Sequence, residues 1–133
     1  MSKLPTVKGW IKELRSGKYN QTTRRLKSIY TDSFCCMGVL CDMTGCSWDE
    51  NGNANKVKIE GNVNFYGVPN SLLKKMFENA GVKNKSGQEV ANILAIANDG
   101  SGYTFYEIAH ALELALKNGK KNRVETTLKK LLG

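Results

Sequence analysis

The sequence predicts an α+β fold, a compact single domain in which a small antiparallel sheet or hairpins pack against four to six helices. Three observations carry that expectation. Apolar residues recur at helical spacing in most of the chain, while period-two alternation is confined to residues 21–30 and 56–66. The 133 residues hold no internal repeat, linker or low-complexity tract, so one domain over 1–133 accounts for them.

Pro5 suits a first helical turn, and Val7, Trp10, Ile11 and Leu14 follow at helical spacing until Ser16-Gly17. From Gln21 to Tyr30, Leu26, Ser28 and Tyr30 alternate with Arg25, Lys27 and Ile29. Thr31-Asp32-Ser33 signals a turn, so a basic strand should fold back onto Phe34-Cys35-Cys36. The run Phe34-Cys35-Cys36-Met37-Gly38-Val39-Leu40-Cys41-Asp42 then enters a helix ending at Gly45. Phe34, Cys36, Val39, Leu40 and Met43 share one side, which places sulphur and hydrocarbon together in the core, where free cysteine behaves as a small hydrophobe.

Residues 49–53 read as a loop, and 56–60 with 62–66 as a second hairpin or one bulged strand around Gly61. The second half is helical. Asn70 can cap a helix carrying Leu72, Leu73, Met76, Phe77 and Ala80, stopped by Gly81. Val90, Ile93, Leu94 and Ala97 mark the next helix, broken at Asn98-Asp99-Gly100-Ser101-Gly102. Thr104-Phe105-Tyr106-Glu107 has the form of a capping box, opening a helix with Ile108, Ala111, Leu112, Ala115 and Leu116 on one face. Val124, Leu128, Leu131 and Leu132 define a last short helix.

The formal charge of +8 is unevenly spread. Residues 1–30 hold eight Lys/Arg against Glu13, and residues 117–133 hold six against Glu125, while the middle is net acidic. If the two basic ends meet on one face, that face attracts anions; otherwise they are solvated helix surface. Lys3, Lys8 and Lys12 interrupt the start, so neither a signal peptide nor a membrane span is expected there. A cytoplasmic location with reduced cysteines follows as the expectation.

Each chemical reading has a structural competitor. The four cysteines Cys35, Cys36, Cys41 and Cys46 lack a C-x-x-C pair, and His110 is distant, so zinc is not expected, nor any other metal or cofactor. A cysteine on an apolar face is inert, which argues against a thiol enzyme. Asp42, Asp49, Glu50 and Asp99 could serve acid–base chemistry, but Asp in loops mostly caps and turns the backbone. Gly100-Ser101-Gly102 before a helix start suggests a phosphate-cradling turn, although no strand precedes it and no Lys-Ser/Thr follows. The strongest electrostatic feature is Arg24-Arg25-x-Lys27 with Tyr19 and Tyr30 near its ends, since guanidinium forks bind phosphate and rings stack on bases. The candidate ligand-binding residues are therefore Arg24, Arg25, Lys27 and Tyr30 on the basic strand, with Asn98, Asp99 and Tyr103 at the helix break. The same basic strand could equally be an edge protected by charge.

A resemblance joins several of these segments. Trp10-x-x-x-Leu14-Arg15-Ser16-Gly17-Lys18-Tyr19, the run from Phe34 to Asp42, Ala97-Asn98-Asp99-Gly100 and Thr104-Phe105-x-Glu107-Ile108-Ala109 occur in that order. The order resembles a family of small proteins of tailed bacteriophages with a YCCLGVLCD signature, over roughly residues 7–116. Phe34 and Met37 replace the usual Tyr and Leu. That family carries no assigned activity, so the resemblance implies a viral setting and an infected host cell rather than a mechanism.

Within that setting the expected function is an accessory, anti-defence protein that sequesters an anionic nucleotide-type signalling ligand without catalysis. Homo-oligomerisation would help by building pockets between copies. The rivals are an inhibitor that binds nucleic acid or a host protein, and a small phosphodiesterase-like or thiol enzyme.

Overall fold

The computed structural model describes residues 5–55 and 70–133. In chain order these form α1 (Val7–Arg15), β1 (Asn20–Gln21), β2 (Lys27–Ser28), β3 (Ser33–Phe34), α2 (Cys36–Met43), β4 (Ser47–Trp48), β5 (Ala54–Asn55), α3 (Asn70–Asn79), α4 (Gly87–Asp99), α5 (Phe105–Asn118) and α6 (Val124–Leu132). The architecture is α+β, with short strands serving mainly to hold helices. Among the described residues, no helix is long and apolar enough to cross a membrane.

Helices start where the sequence supplies caps. Thr6 Oγ1 accepts from the Gly9 N–H at 3.0 Å, so α1 begins after Thr6 rather than in the turn of Pro5. At the head of α5, Thr104 N–H donates to Glu107 Oε1 at 3.0 Å and Glu107 N–H to Thr104 Oγ1 at 3.2 Å, the reciprocal box read from the sequence. Helix α3 spans Asn70–Asn79, and the capping expected of the Asn70 side chain lies outside what is described; Gly81, at φ 77°, follows its end.

The first sheet has the order β1-β3-β2, with β3 parallel to β1 and antiparallel to β2, so it is mixed rather than antiparallel. The continuous basic strand expected over 21–30 does not form. Arg24 takes φ 65°, a left-handed conformation that an extended strand cannot contain, and its N–H is held by Asp99 Oδ1 at 2.8 Å. The chain turns through Asp32 (φ 48°) from β2 into β3, the fold-back signalled by Thr31-Asp32-Ser33. A second hairpin, β4–β5, encloses Asp49, whose Oδ1 accepts the N–H groups of Asn51 and Asn53 at 2.8 and 2.9 Å. Two residues a side are too few to show alternation, so the sequence reveals only that loop. The hairpin read over 56–66 lies outside the described residues.

Helix α5 packs on α1, α4 and α6, and α2 packs on α1 and α4. Trp10, Leu40, Phe77, Leu94 and Leu112 are fully buried, each contributing about 2 kcal/mol or more by leaving water. The sulphur-rich helix is buried on all sides, from Cys36 through Cys41, so Gly38 touches protein as well. A Cβ at Gly38 would overlap the Leu26 carbonyl, to which the Cys35 N–H donates at 3.1 Å. Trp10 closes the other side, donating from Nε1 to the Cys36 carbonyl at 3.0 Å.

Candidate functional site

The residues expected to bind a ligand fall into two groups. Asn98 ends α4 and is 1% exposed. Its Oδ1 accepts from Gln21 Nε2 at 2.9 Å and from the Cys36 N–H at 3.2 Å. Its Nδ2 donates to the Thr22 carbonyl and to Asp99 Oδ1, both at 2.9 Å. A primary amide has two donors and two acceptor lone pairs, so Asn98 is saturated. Asp99 Oδ1 also holds the Arg24 N–H, and the Tyr103 carbonyl accepts from Gln21 Nε2 at 2.9 Å. Arg24, Asn98, Asp99 and Tyr103 are thus gathered into one lock that ties residues 20–24 to the start of α2 and the end of α4.

In the turn Gly100-Ser101-Gly102, the Gly100 and Ser101 donors are similarly engaged. The Gly100 and Ser101 N–H groups go to the Ile96 carbonyl, that of Tyr103 to Ala97, and that of Phe105 to Gln21 Oε1 at 3.1 Å. A phosphate cradle requires such donors to face outward unpaired.

Lys27 belongs to a different cluster. Its Nζ lies 5.2 Å from the Phe34 ring centroid, 5.5 Å from that of Trp48 and 3.6 Å from Asp32 Oδ1. Tyr19 stands edge-on to Phe34, and its hydroxyl donates to Asp42 Oδ2 at 2.7 Å, while Trp48 Nε1 donates to Asp42 Oδ1 at 3.2 Å. Burial and the Asp42 carboxylate push the Tyr19 phenol well up. Asp42 therefore braces two aromatic rings. The side chains of Arg24, Arg25 and Tyr30 are exposed, Tyr30 at 88%, and among the described residues they make no hydrogen bond or ion pair.

The thiols are poorly placed for attack. Burial pushes Cys36 and Cys41 well up, and Cys46 to about 11. Cys35 Sγ accepts from the Gly38 N–H at 3.3 Å as the cap of α2, yet burial still raises it. His110 is exposed on α5.

A recess of about 1210 Å³ opens between α1, the end of α3 and the second half of α5. Buried Val7, Ile11 and Met76, with Leu116, give it an apolar floor. Lys8, Lys12 and Arg15 project along it from α1, since positions i, i+4 and i+7 share a helix face, and Lys117 faces them from α5. Among the described lining residues, Glu113 is the carboxylate, and it pairs with Arg15 at 2.8 Å. The hydrogen bond from Arg15, then its charge, hold the Glu113 carboxyl below its ordinary range, with Lys117 and His110 adding smaller pulls. Four cations against one carboxylate leave the recess positive, and its apolar wall concentrates that field.

None of Arg24, Arg25, Lys27, Tyr30, Asn98, Asp99 or Tyr103 lines the recess. The two places are separated along α5, because Gln21 binds at Phe105 while Glu113 comes two turns later, roughly 12 Å up the helix. The residues missed by motif reading, Lys8, Lys12, Arg15 and Lys117, carry a signal that was visible: they belong to the two basic ends of the chain, the second of which contributes Lys117 here.

Residues 4–116 match the family described as a domain of unknown function, DUF8296. The chain belongs to this family. The DUF8296 stretch includes the Asn98 lock and all of the recess but Lys117, and α6 lies beyond it. Neither the curated proteins nor the solved structures yield a match.

Proposed function

We propose that this chain is a non-catalytic binder that withholds an anionic, nucleotide-type small molecule, and that the α1–α5 recess is where it binds. The row Lys8, Lys12 and Arg15 facing Lys117 over an apolar floor is the observation that carries this reading. Ammonium and guanidinium groups take the phosphates, and Val7, Ile11, Met76 and Leu116 offer hydrocarbon to the remainder. The described lining includes no aromatic ring, so the base would pack on aliphatic side chains rather than stack. A non-catalytic role is supported by buried, proton-retaining thiols. The likeness of the Phe34–Asp42 run to small proteins of tailed phages supports an anti-defence setting in an infected cell, with homo-oligomers that would cover the open side of the recess.

The test is a melting-temperature panel with mono-, di-, tri- and cyclic dinucleotides, followed by analysis of what is released on denaturation. A ligand at 100 times its Kd adds about 2.7 kcal/mol, a shift of several degrees. Intact ligand recovered with a raised melting temperature supports sequestration. Absence of any shift across the panel sinks the reading, and an altered product converts it to catalysis. Affinity that ignores nucleotide identity and falls steeply with salt points to a polynucleotide partner instead.

A further inference from the structure

Resting on that reading, we infer that Glu113 is a latch that occupies Arg15 in the empty recess, so that the incoming anion must take the guanidinium away from it. The geometry is specific. Arg15 lies at the last turn of α1 and Glu113 in the middle of α5, and the 2.8 Å contact joins Arg15 Nη1 to Glu113 Oε2 across the recess. Both side chains keep more than a third of their surface exposed, so the pair is reachable by a dissolved anion. No other carboxylate is among the described lining residues, whereas Lys8, Lys12 and Lys117 have no ion pair among the described residues.

A fork that grips a carboxylate grips a phosphate by the same paired N–H donors, so the two compete for one group. An exposed pair holds loosely, which makes exchange feasible: severing it costs little, and the phosphate brings more negative charge to the same nitrogen atoms. The lysines would meet the ligand first, and Arg15 would change partner once the anion is seated. Glu113 thereby acts as a positioning residue that keeps Arg15 extended over the recess and lowers apparent affinity for weak anions.

The experiment is a double-mutant cycle with tripolyphosphate and ATP as probes, read by calorimetry on the full chain. Glu113→Gln keeps the shape and an acceptor for Arg15 but removes the charge, and binding should tighten about two- to fivefold, the range set by breaking an exposed ion pair. In an Arg15→Gln background the same Glu113→Gln change should bring no gain, because there is nothing left to release. A gain that survives without Arg15 means that Glu113 acts only through its general field and overturns the latch. Equal affinity of wild type and Glu113→Gln overturns it too, while leaving the recess as the site. If neither probe binds any of these proteins and Lys12→Glu changes nothing, the recess reading falls and the latch with it. Melting temperatures within a few degrees of wild type confirm that each variant is folded.

Discussion

The Asn98 lock and the α1–α5 recess are both polar, and they treat their polar groups in opposite ways. At the lock, every donor and acceptor of the Asn98 amide meets protein, and Asp99 closes the left-handed turn at Arg24. In the recess, Lys8, Lys12 and Lys117 point to solvent over a hydrophobic floor, and the Arg15–Glu113 pair, the one seen there among the described residues, is partly exposed. A buried group that is fully hydrogen-bonded holds the fold, and a concave group with capacity left can hold something else. Residue type alone does not separate the two; the tally of partners does.

Substitutions should separate them in the same way. The largest effect belongs beside the lock, at Gly38→Ala, where a methyl group collides with the Leu26 carbonyl. A loss of about 3 kcal/mol is expected in urea unfolding, and an unchanged midpoint would falsify the backbone contact between α2 and Leu26, just before β2. Next comes Asn98→Ala, which strands the buried Cys36 N–H and should cost about 2–3 kcal/mol. Nucleotide affinity of the folded fraction should stay within about twofold, because the proposed site is the recess and not the lock. In the recess the pattern reverses: Lys12→Glu should move stability by no more than about 0.5 kcal/mol and weaken nucleotide binding about tenfold or more. If instead binding is lost in Asn98→Ala and kept in Lys12→Glu, the assignment of roles is backwards.

The smallest effect is in pH dependence, and it approaches from both ends. The Cys46 thiol is raised from an ordinary 9.0 to about 11 by burial, so its contribution is complete below pH 9 and lost as pH rises through about 11. The Glu113 carboxyl is lowered from 4.5 by Arg15, so its contribution is present above pH 4.5 and fades as pH falls through the depressed value. Melting curves under reducing conditions should show the alkaline loss trimmed by Cys46→Ala, with the other raised thiols supplying the rest, and the acid loss trimmed by Glu113→Gln. Identical profiles in these variants would remove the titration contrast between core and recess.

Helical segments were legible because caps and periodic apolar residues act locally: Thr104-Phe105-Tyr106-Glu107 forms its box as written, and Val7, Trp10, Ile11 and Leu14 are all buried. The cysteine run was legible as core for the same reason. The 21–30 strand failed because a distant residue, Asp99, overrides the local alternation at Arg24. Likewise, the basic ends were visible as composition, but the approach of Lys117 to the first of them depends on α1 lying along α5, a long-range contact that no short motif encodes. Asn98 and Asp99 were singled out for their position at the helix break, but the sequence could not show what engages them, since their partners Gln21, Thr22 and Arg24 lie more than seventy residues away.

Gln21 has one further consequence. Its amide grips Asn98, the Tyr103 carbonyl and the first N–H of α5 at once. In diverging descendants, positions 21 and 98 should drift as a coupled pair, since either change alone costs the other a partly buried hydrogen bond. Correlated replacement at those two columns would be an evolutionary fingerprint of the lock, legible without any purified protein.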